Sequence, residues 1–147
     1  MKLEKKRKVT SNVTKYIFRS TVFIVTLWSC TTWGVQEIAD PNLQDIAMVT
    51  VLRGQPVIIY NPYLCQQAGP DLCGFYRTHE YCHINLGHTI RQMWPQQKEL
   101  EADCCAAKRA SVREVGAAYQ WFSAGGGSSP MHGWGWQRAA RISYCRN

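Results

Sequence analysis

The sequence contains no apolar run of membrane-spanning length, no CxxC pair and little net charge beyond its N-terminal segment. A transmembrane helix needs about 20 mostly apolar residues, whereas the run at residues 21–28 has eight. From Val35 onward, ten Lys and Arg face nine Asp and Glu, so the basic surface of a nucleic-acid-binding domain is missing. Without a CxxC pair, metal-bound or reduced thiols are the weaker interpretation of the cysteines.

The length and the distribution of charge indicate one exported domain. A chain of 147 residues allows one domain and excludes separate cofactor and substrate lobes. Six of the seven units of net positive charge fall in residues 1–34. This basic segment and the apolar run within it predict a signal peptide over residues 1–34 and a folded domain over residues 35–147. Cleavage after Gly34 is expected, with a lipid anchor at Cys30 as the alternative.

The cysteine content agrees with export. Beyond Cys30 the chain has six cysteines, Cys65, Cys73, Cys82, Cys104, Cys105 and Cys145. An even number in an oxidising compartment predicts up to three disulfides. Because Cys104 and Cys105 are adjacent, we expect each to bond elsewhere, and one of them can join Cys82. We therefore expect a secreted or periplasmic protein that meets the membrane only through its signal segment or an anchor.

The order of the predicted elements favours an α+β fold. Two β-branched runs, residues 46–52 and 56–60, flank a short Gly-containing loop and predict a hairpin in a small antiparallel sheet. Helices are predicted at about residues 72–86, 97–122 and 135–145. The strand at residues 57–60 precedes the first helix and suggests two roles, an edge that binds an added peptide strand or plain core packing.

The first predicted helix carries an HExxH motif, His79-Glu80-Tyr81-Cys82-His83. Residues four apart on a helix differ by only about 40° around its axis, so both imidazoles can reach one Zn²⁺. Glu80 lies beside them and can take a proton from water activated by the metal. A pair of ordinary surface or core histidines is the alternative interpretation.

A third ligand is expected from the following helix. The metzincin pattern requires Gly at position 86 and His at position 89, where this chain has Leu and Thr. His88 lies about 140° around the helix from His83 and is expected to be a cap or surface group. Glu99 and Asp103 are four residues apart, so one can bind the metal and the other can accept the free N–H of a ligand imidazole. A solvated acidic helix start is the alternative.

The sequences HEYCH and ELEAD together resemble the gluzincin metallopeptidases. They are most similar to the group of the CAAX prenyl protease and the bacterial heat-shock membrane protease, and to small uncharacterised bacterial proteins of that kind. The resemblance covers roughly residues 56–142 and implies a minimal zincin domain with an HExxH helix, a Glu helix and a C-terminal helix. It implies zinc bound by His79, His83 and Glu99, with Glu80 as general base and Asp103 orienting a ligand histidine.

Downstream residues extend this resemblance. The related proteases carry a His-Pro or His-Gly pair followed by an Arg, and this chain has His132-Gly133 and Arg138. The likeness implies catalytic contact of His132 and Arg138 with substrate or oxyanion. An ion pair between Arg138 and the acidic helix is the alternative for that residue.

The expected function is a secreted or periplasmic zinc metallopeptidase that hydrolyses peptide or protein substrates. The alternative is a non-catalytic module in which zinc and disulfides stabilise a protein-binding scaffold. A metal position with three protein ligands favours the enzyme, and one closed by a fourth ligand, such as Cys82 or His132, favours the module. A peptidase whose cleft is completed by a partner is a third possibility.

Overall fold

Eight regular elements lie within residues 34–147, the part of the chain that the computed structural model describes. The strands are β1 (Gln36–Ala39), β2 (Ala47–Leu52) and β3 (Gln55–Tyr60). The helices are α1 (Pro62–Ala68), α2 (Pro70–Asn85), α3 (Pro95–Arg109), α4 (Val112–Ser123) and α5 (Gly135–Arg146). The predicted α+β class is confirmed. Cys30 and all but the last residue of the predicted signal peptide lie outside the described residues.

The sheet is mixed, and the prediction of a purely antiparallel sheet is wrong. β2 and β3 form the predicted hairpin. Its two-residue turn has φ of 51° at Arg53 and 77° at Gly54, the positive values that a type I′ turn requires. β1 pairs parallel to β3 on the other side. The segment QEIA of β1 holds one large apolar side chain, too few to predict a strand.

β3 is the central strand of the order β1-β3-β2. Val57 and Ile58 are buried, and both sides of the strand are already paired. The hypothesis that a peptide adds to residues 57–60 is therefore wrong, and core packing is their role. The free edge of the sheet next to α2 belongs to β2.

Local signals set the helix boundaries. A proline at the first position begins each of α1, α2 and α3, where its missing N–H costs nothing. The predicted single helix over residues 97–122 is instead two helices, because Ala110 is extended and α4 starts anew. Ser111 and Glu114 form a capping box, in which each side chain accepts the backbone N–H of the other.

α2 lies between the sheet and the remaining helices. It contacts β2 and β3 on one side and α1, α3 and α4 on the others. Its Phe75 meets Phe122 of α4 edge to face, with ring centroids 5.9 Å apart. Ala102 and Ala106 of α3 are fully buried, so these small side chains let α3 pack closely against its neighbours.

Three disulfides join the helices. They are Cys65–Cys73 between α1 and α2, Cys82–Cys105 between α2 and α3, and Cys104–Cys145 between α3 and α5. The adjacent cysteines bond to different partners, as predicted. Each bridge typically contributes about 2–4 kcal/mol by restricting the unfolded chain. Within residues 34–147, no helix combines the length and the apolar character needed to cross a membrane.

Candidate metal centre

α2 directs both motif histidines to one point. His79 and His83 lie one helical turn apart, and their Nε2 atoms are 3.0 Å from each other. Both residues are buried. The alternative of surface histidines is therefore excluded.

Glu99 of α3 meets the two imidazoles. Its Oε2 lies 3.0 Å from Nε2 of His79 and 3.4 Å from Nε2 of His83. Glu99 is buried, so it is not part of a solvated helix start. The Cys82–Cys105 disulfide joins α2 to α3 beside this contact. The structure thus brings together the three residues predicted to bind zinc.

His132 approaches the same carboxylate from the loop between α4 and α5. Its Nε2 lies 2.9 Å from Oε2 of Glu99 and its Nδ1 lies 2.8 Å from Oγ of Ser129. His79, Glu99 and His132 offer ligand atoms within 4.8 Å of one another, a group that could hold a metal ion. His132 can therefore act as a metal ligand together with His79 and Glu99. Cys82 cannot, because its sulfur is in a disulfide.

Asp103, one turn after Glu99, lies behind His79. Its Oδ1 is 3.0 Å from Nδ1 of His79, an ion-pair distance with an alignment too poor for a hydrogen bond. Burial alone would raise the pKa of Asp103, but His79 and Arg138 hold that pKa well below its usual range. An ionised carboxylate at this place favours the proton on Nδ1 of His79, which leaves Nε2 for a metal.

Arg138 does not reach the place where substrate would bind. Its guanidinium is fully buried and donates to both carboxylate oxygens of Asp103, at 3.1 and 2.7 Å. The same guanidinium lies 4.1 Å from the ring centroid of Phe122. The prediction of oxyanion or substrate contact for Arg138 is therefore replaced by the ion-pair alternative. The side chain is committed to the acidic helix, where it compensates a buried charge.

Without a metal ion, the contacts in this cluster favour a protonated His79. Burial lowers the pKa of His79, but the contacts with Asp103 and Glu99 outweigh it and raise that pKa to about 10. Burial would raise the pKa of Glu99, yet the histidines around it hold the pKa far below its usual range. Lone pairs of two imidazoles and one carboxylate at 3.0–3.4 Å repel one another unless a proton or a cation lies among them. The donor set fits a cation, and imidazole with carboxylate suits Zn²⁺.

Glu80 lies beside the cluster and faces β2. Its Oε2 accepts the backbone N–H of Val49 at 2.8 Å. Burial raises the pKa of Glu80, and the nearby His79 and His83 offset part of that rise. A carboxyl group with a raised pKa is suited to exchanging protons near neutral pH.

A cleft of about 540 Å³ opens in front of these groups. Among the polar residues that line it are Glu80, His83, Glu99 and His132, and His88 and Lys98 line it as well. Residues 47–51 of β2 line one side, and Met131 also lines the cleft. Two of the metal candidates, His83 and Glu99, therefore share one solvent-accessible space with the candidate base Glu80, whereas His79 lies beneath it.

Three contributors to the site were not predicted. His88 is buried, not a surface group, and its Nδ1 lies 3.1 Å from Nδ1 of His83. Arg141 reaches Asp103 at 2.6 Å. Ser129 holds the ring of His132. The sequence carries two of these signals locally, the spacing of Arg138 and Arg141 on one helix face and that of Ser129 and His132, which are also three residues apart.

Comparisons of this chain with protein families, with curated proteins and with solved structures give no match.

Proposed function

We propose that the protein is a zinc-dependent peptidase of minimal gluzincin type, exported to the periplasm or the exterior. The observation that carries the proposal is the convergence of His79, His83 and Glu99 beside a cleft that His83, Glu99 and Glu80 line. Glu80 is not needed to bind a metal, so its presence favours hydrolysis over a purely structural site. The three disulfides support export.

His79, His83 and Glu99 would hold the zinc. When bound, Zn²⁺ supplies a Lewis acid that acidifies water and polarises a carbonyl group. Asp103 keeps His79 in the tautomer whose Nε2 is free to bind, because its ionised carboxylate favours a proton on Nδ1.

Glu80 moves the proton in this mechanism. The Val49 N–H holds Oε2, which leaves Oε1 to take the proton of the attacking water and to pass it to the leaving amine. His132 has a quarter of its side chain exposed and lines the cleft. With the Ser129 hydroxyl donating to Nδ1, its Nε2 carries a proton, which faces Glu99 at 2.9 Å and would serve an oxyanion only after the ring leaves that carboxylate.

The test is metal analysis of the oxidised protein together with cleavage of a mixed-peptide library by the zinc-loaded form. Glu80→Gln should bind zinc as the wild type does and lose at least about 100-fold in cleavage rate, the usual contribution of a general base. Glu37→Gln is the matched control, since Glu37 lies on β1 at the opposite edge of the sheet from β2. This variant should cleave peptides at the wild-type rate. Undiminished cleavage by Glu80→Gln would refute the mechanism.

One observation favours the non-catalytic alternative. His132 lies 2.9 Å from Glu99, where a fourth protein ligand would close the metal site, as in structural zinc sites. Under that alternative the ion and the disulfides stabilise a scaffold that binds another protein. The cobalt-substituted protein distinguishes the two, because an open site changes its visible spectrum when a small anion binds and a closed site does not.

A further inference from the structure

A chain of hydrogen bonds runs from His83 through His88 to Glu101. Nδ1 of His88 lies 3.1 Å from Nδ1 of His83, and Nε2 of His88 lies 3.1 Å from Oε2 of Glu101. His88 is buried, at 3% exposure, whereas the Glu101 side chain is about one-third exposed. The chain thus begins at a proposed metal ligand and ends at a carboxylate near the surface.

The protons of this chain are fixed by its chemistry. A histidine that binds a metal through Nε2 carries its proton on Nδ1. Nδ1 of His83 then donates to Nδ1 of His88, which must be unprotonated and so places its own proton on Nε2. That Nε2–H donates to Oε2 of Glu101, which as an ionised carboxylate can only accept hydrogen bonds. With His88 neutral and Glu101 ionised, this assignment gives each group one role and agrees with a His83 whose Nε2 is free for a metal.

The backbone holds the His88 ring in place. Gly87 has φ of 71°, a left-handed conformation that ends the helix. The His88 N–H then donates to the carbonyl of His83, and Lys98 Nζ donates to the carbonyl of His88 at 2.7 Å. The turn is therefore fixed from both α2 and α3, and the ring is placed against His83.

We propose that His88 and Glu101 are positioning residues for the metal centre, which orient His83 as Asp103 orients His79. The inference rests on the metal site of the proposed function and not on its peptidase reaction. Carboxylates and carbonyls are the usual partners of ligand histidines, and here a second histidine transmits the effect of a carboxylate.

The test measures the zinc dissociation constant of the oxidised protein by competition with a chromophoric chelator. His88→Phe should weaken zinc binding about 10–100-fold, the typical effect of losing such a partner. Glu101→Gln should weaken zinc binding by a factor near the lower end of that range, since an amide oxygen still accepts a hydrogen bond but carries no charge. His88→Gln should recover most of the affinity, because its amide can accept from His83 and donate to Glu101.

A matched control and a spectrum separate positioning from packing. Tyr81→Phe removes the hydrogen bond from α2 to Glu37 on another face of the same helix and should leave zinc affinity unchanged. The visible bands of the cobalt-substituted protein should shift in His88→Phe and not in Tyr81→Phe, a change that altered packing alone does not produce.

The outcomes distinguish this inference from the proposed function. Wild-type affinity in both folded His88→Phe and Glu101→Gln would overturn it, and Glu101→Gln decides alone if His88→Phe does not fold. Failure of the wild type to bind zinc would overturn the metal site and this inference together. Zinc binding with the predicted order of affinities, but without peptide cleavage, would support the inference while refuting the peptidase.

Discussion

Two regions supply the cluster of metal-facing side chains, and they hold those side chains by different means. His79, His83 and Glu99 come from α2 and α3, are buried, and belong to helices joined by a disulfide. His132 comes from the loop between α4 and α5 and has a quarter of its side chain exposed. Its ring is held by the Ser129 hydroxyl.

The difference lies in the partners of the imidazole Nδ1 atoms. Asp103 behind His79 is an ionised carboxylate with no proton to donate, so its charge favours the tautomer with the proton on Nδ1 of His79. Ser129 behind His132 is a hydroxyl that can donate or accept, so it fixes none. The side chains of α2 and α3, the helix pair, are therefore organised in advance for a cation. The loop histidine His132 suits either of two roles, a fourth ligand or a donor to substrate.

The largest expected effect comes from removing the carboxylate that supports the helix pair. Asp103→Ala leaves the guanidinium of Arg138 buried without its partner. Breaking such a buried pair typically costs about 3–5 kcal/mol. Denaturant unfolding of the oxidised protein should show this loss in the free energy of unfolding.

An exposed Asp–Arg pair is the control for that measurement. Asp71 and Arg113 lie 3.1 Å apart with side chains 36% and 81% exposed, so Asp71→Ala should cost about 0–1 kcal/mol. Adding Arg138→Met to Asp103→Ala should recover part of the stability, since the fully buried guanidinium that lost its carboxylate partner is then removed as well. A cost for Asp103→Ala as small as that for Asp71→Ala would show that α2 and α3 do not depend on this network.

The helix pair is also the part of the site that the sequence predicts best. The HExxH spacing and the Glu99–Asp103 spacing are properties of single helices, and each helix carries its own start signal. The predicted hairpin likewise follows from local β-branched runs and a Gly-containing turn. Local patterns of this kind survive folding because they act over a few residues.

The remaining features depend on contacts between distant segments. β1 forms because β3 offers it a free side, which its own four residues do not indicate. The break between α3 and α4 is encoded by Ser111 and Glu114, but the Ala-rich stretches on both sides predict one continuous helix. His88 reaches His83 only because Gly87 reverses the chain after α2.

The pH dependence of stability should reveal the proton held by the helix pair. The pKa of His79 is raised from 6.5 to about 10 in the folded protein, so the folded state binds more protons than the unfolded state between those values. The stabilising contribution is therefore full below about pH 6.5 and is lost as the pH rises through about 10. Chelator-treated protein should lose about 2 kcal/mol between pH 7 and pH 9.

Zinc removes this trend, because the bound ion takes the place of the proton. The difference in stability between the zinc-loaded and the chelator-treated protein should therefore grow from pH 7 to pH 9, as thermal unfolding at both values would measure. A difference that stays constant over this interval would mean that His79 is already neutral before the ion binds.

The smallest expected effect is in the loop, and it decides which role His132 plays. If the helix pair supplies the metal site by itself, His132→Ala should weaken zinc binding by less than about tenfold, or about 1.4 kcal/mol. His83→Ala should weaken zinc binding by more than the roughly 100-fold limit for supporting residues. The contact of His132 with Glu99 then acts mainly on substrate, and His132→Ala should lower the cleavage rate more than the zinc affinity. Equal losses of affinity in the two variants would make the loop histidine a true ligand, which removes the distinction between the regions and favours a closed, structural metal site over a hydrolytic one.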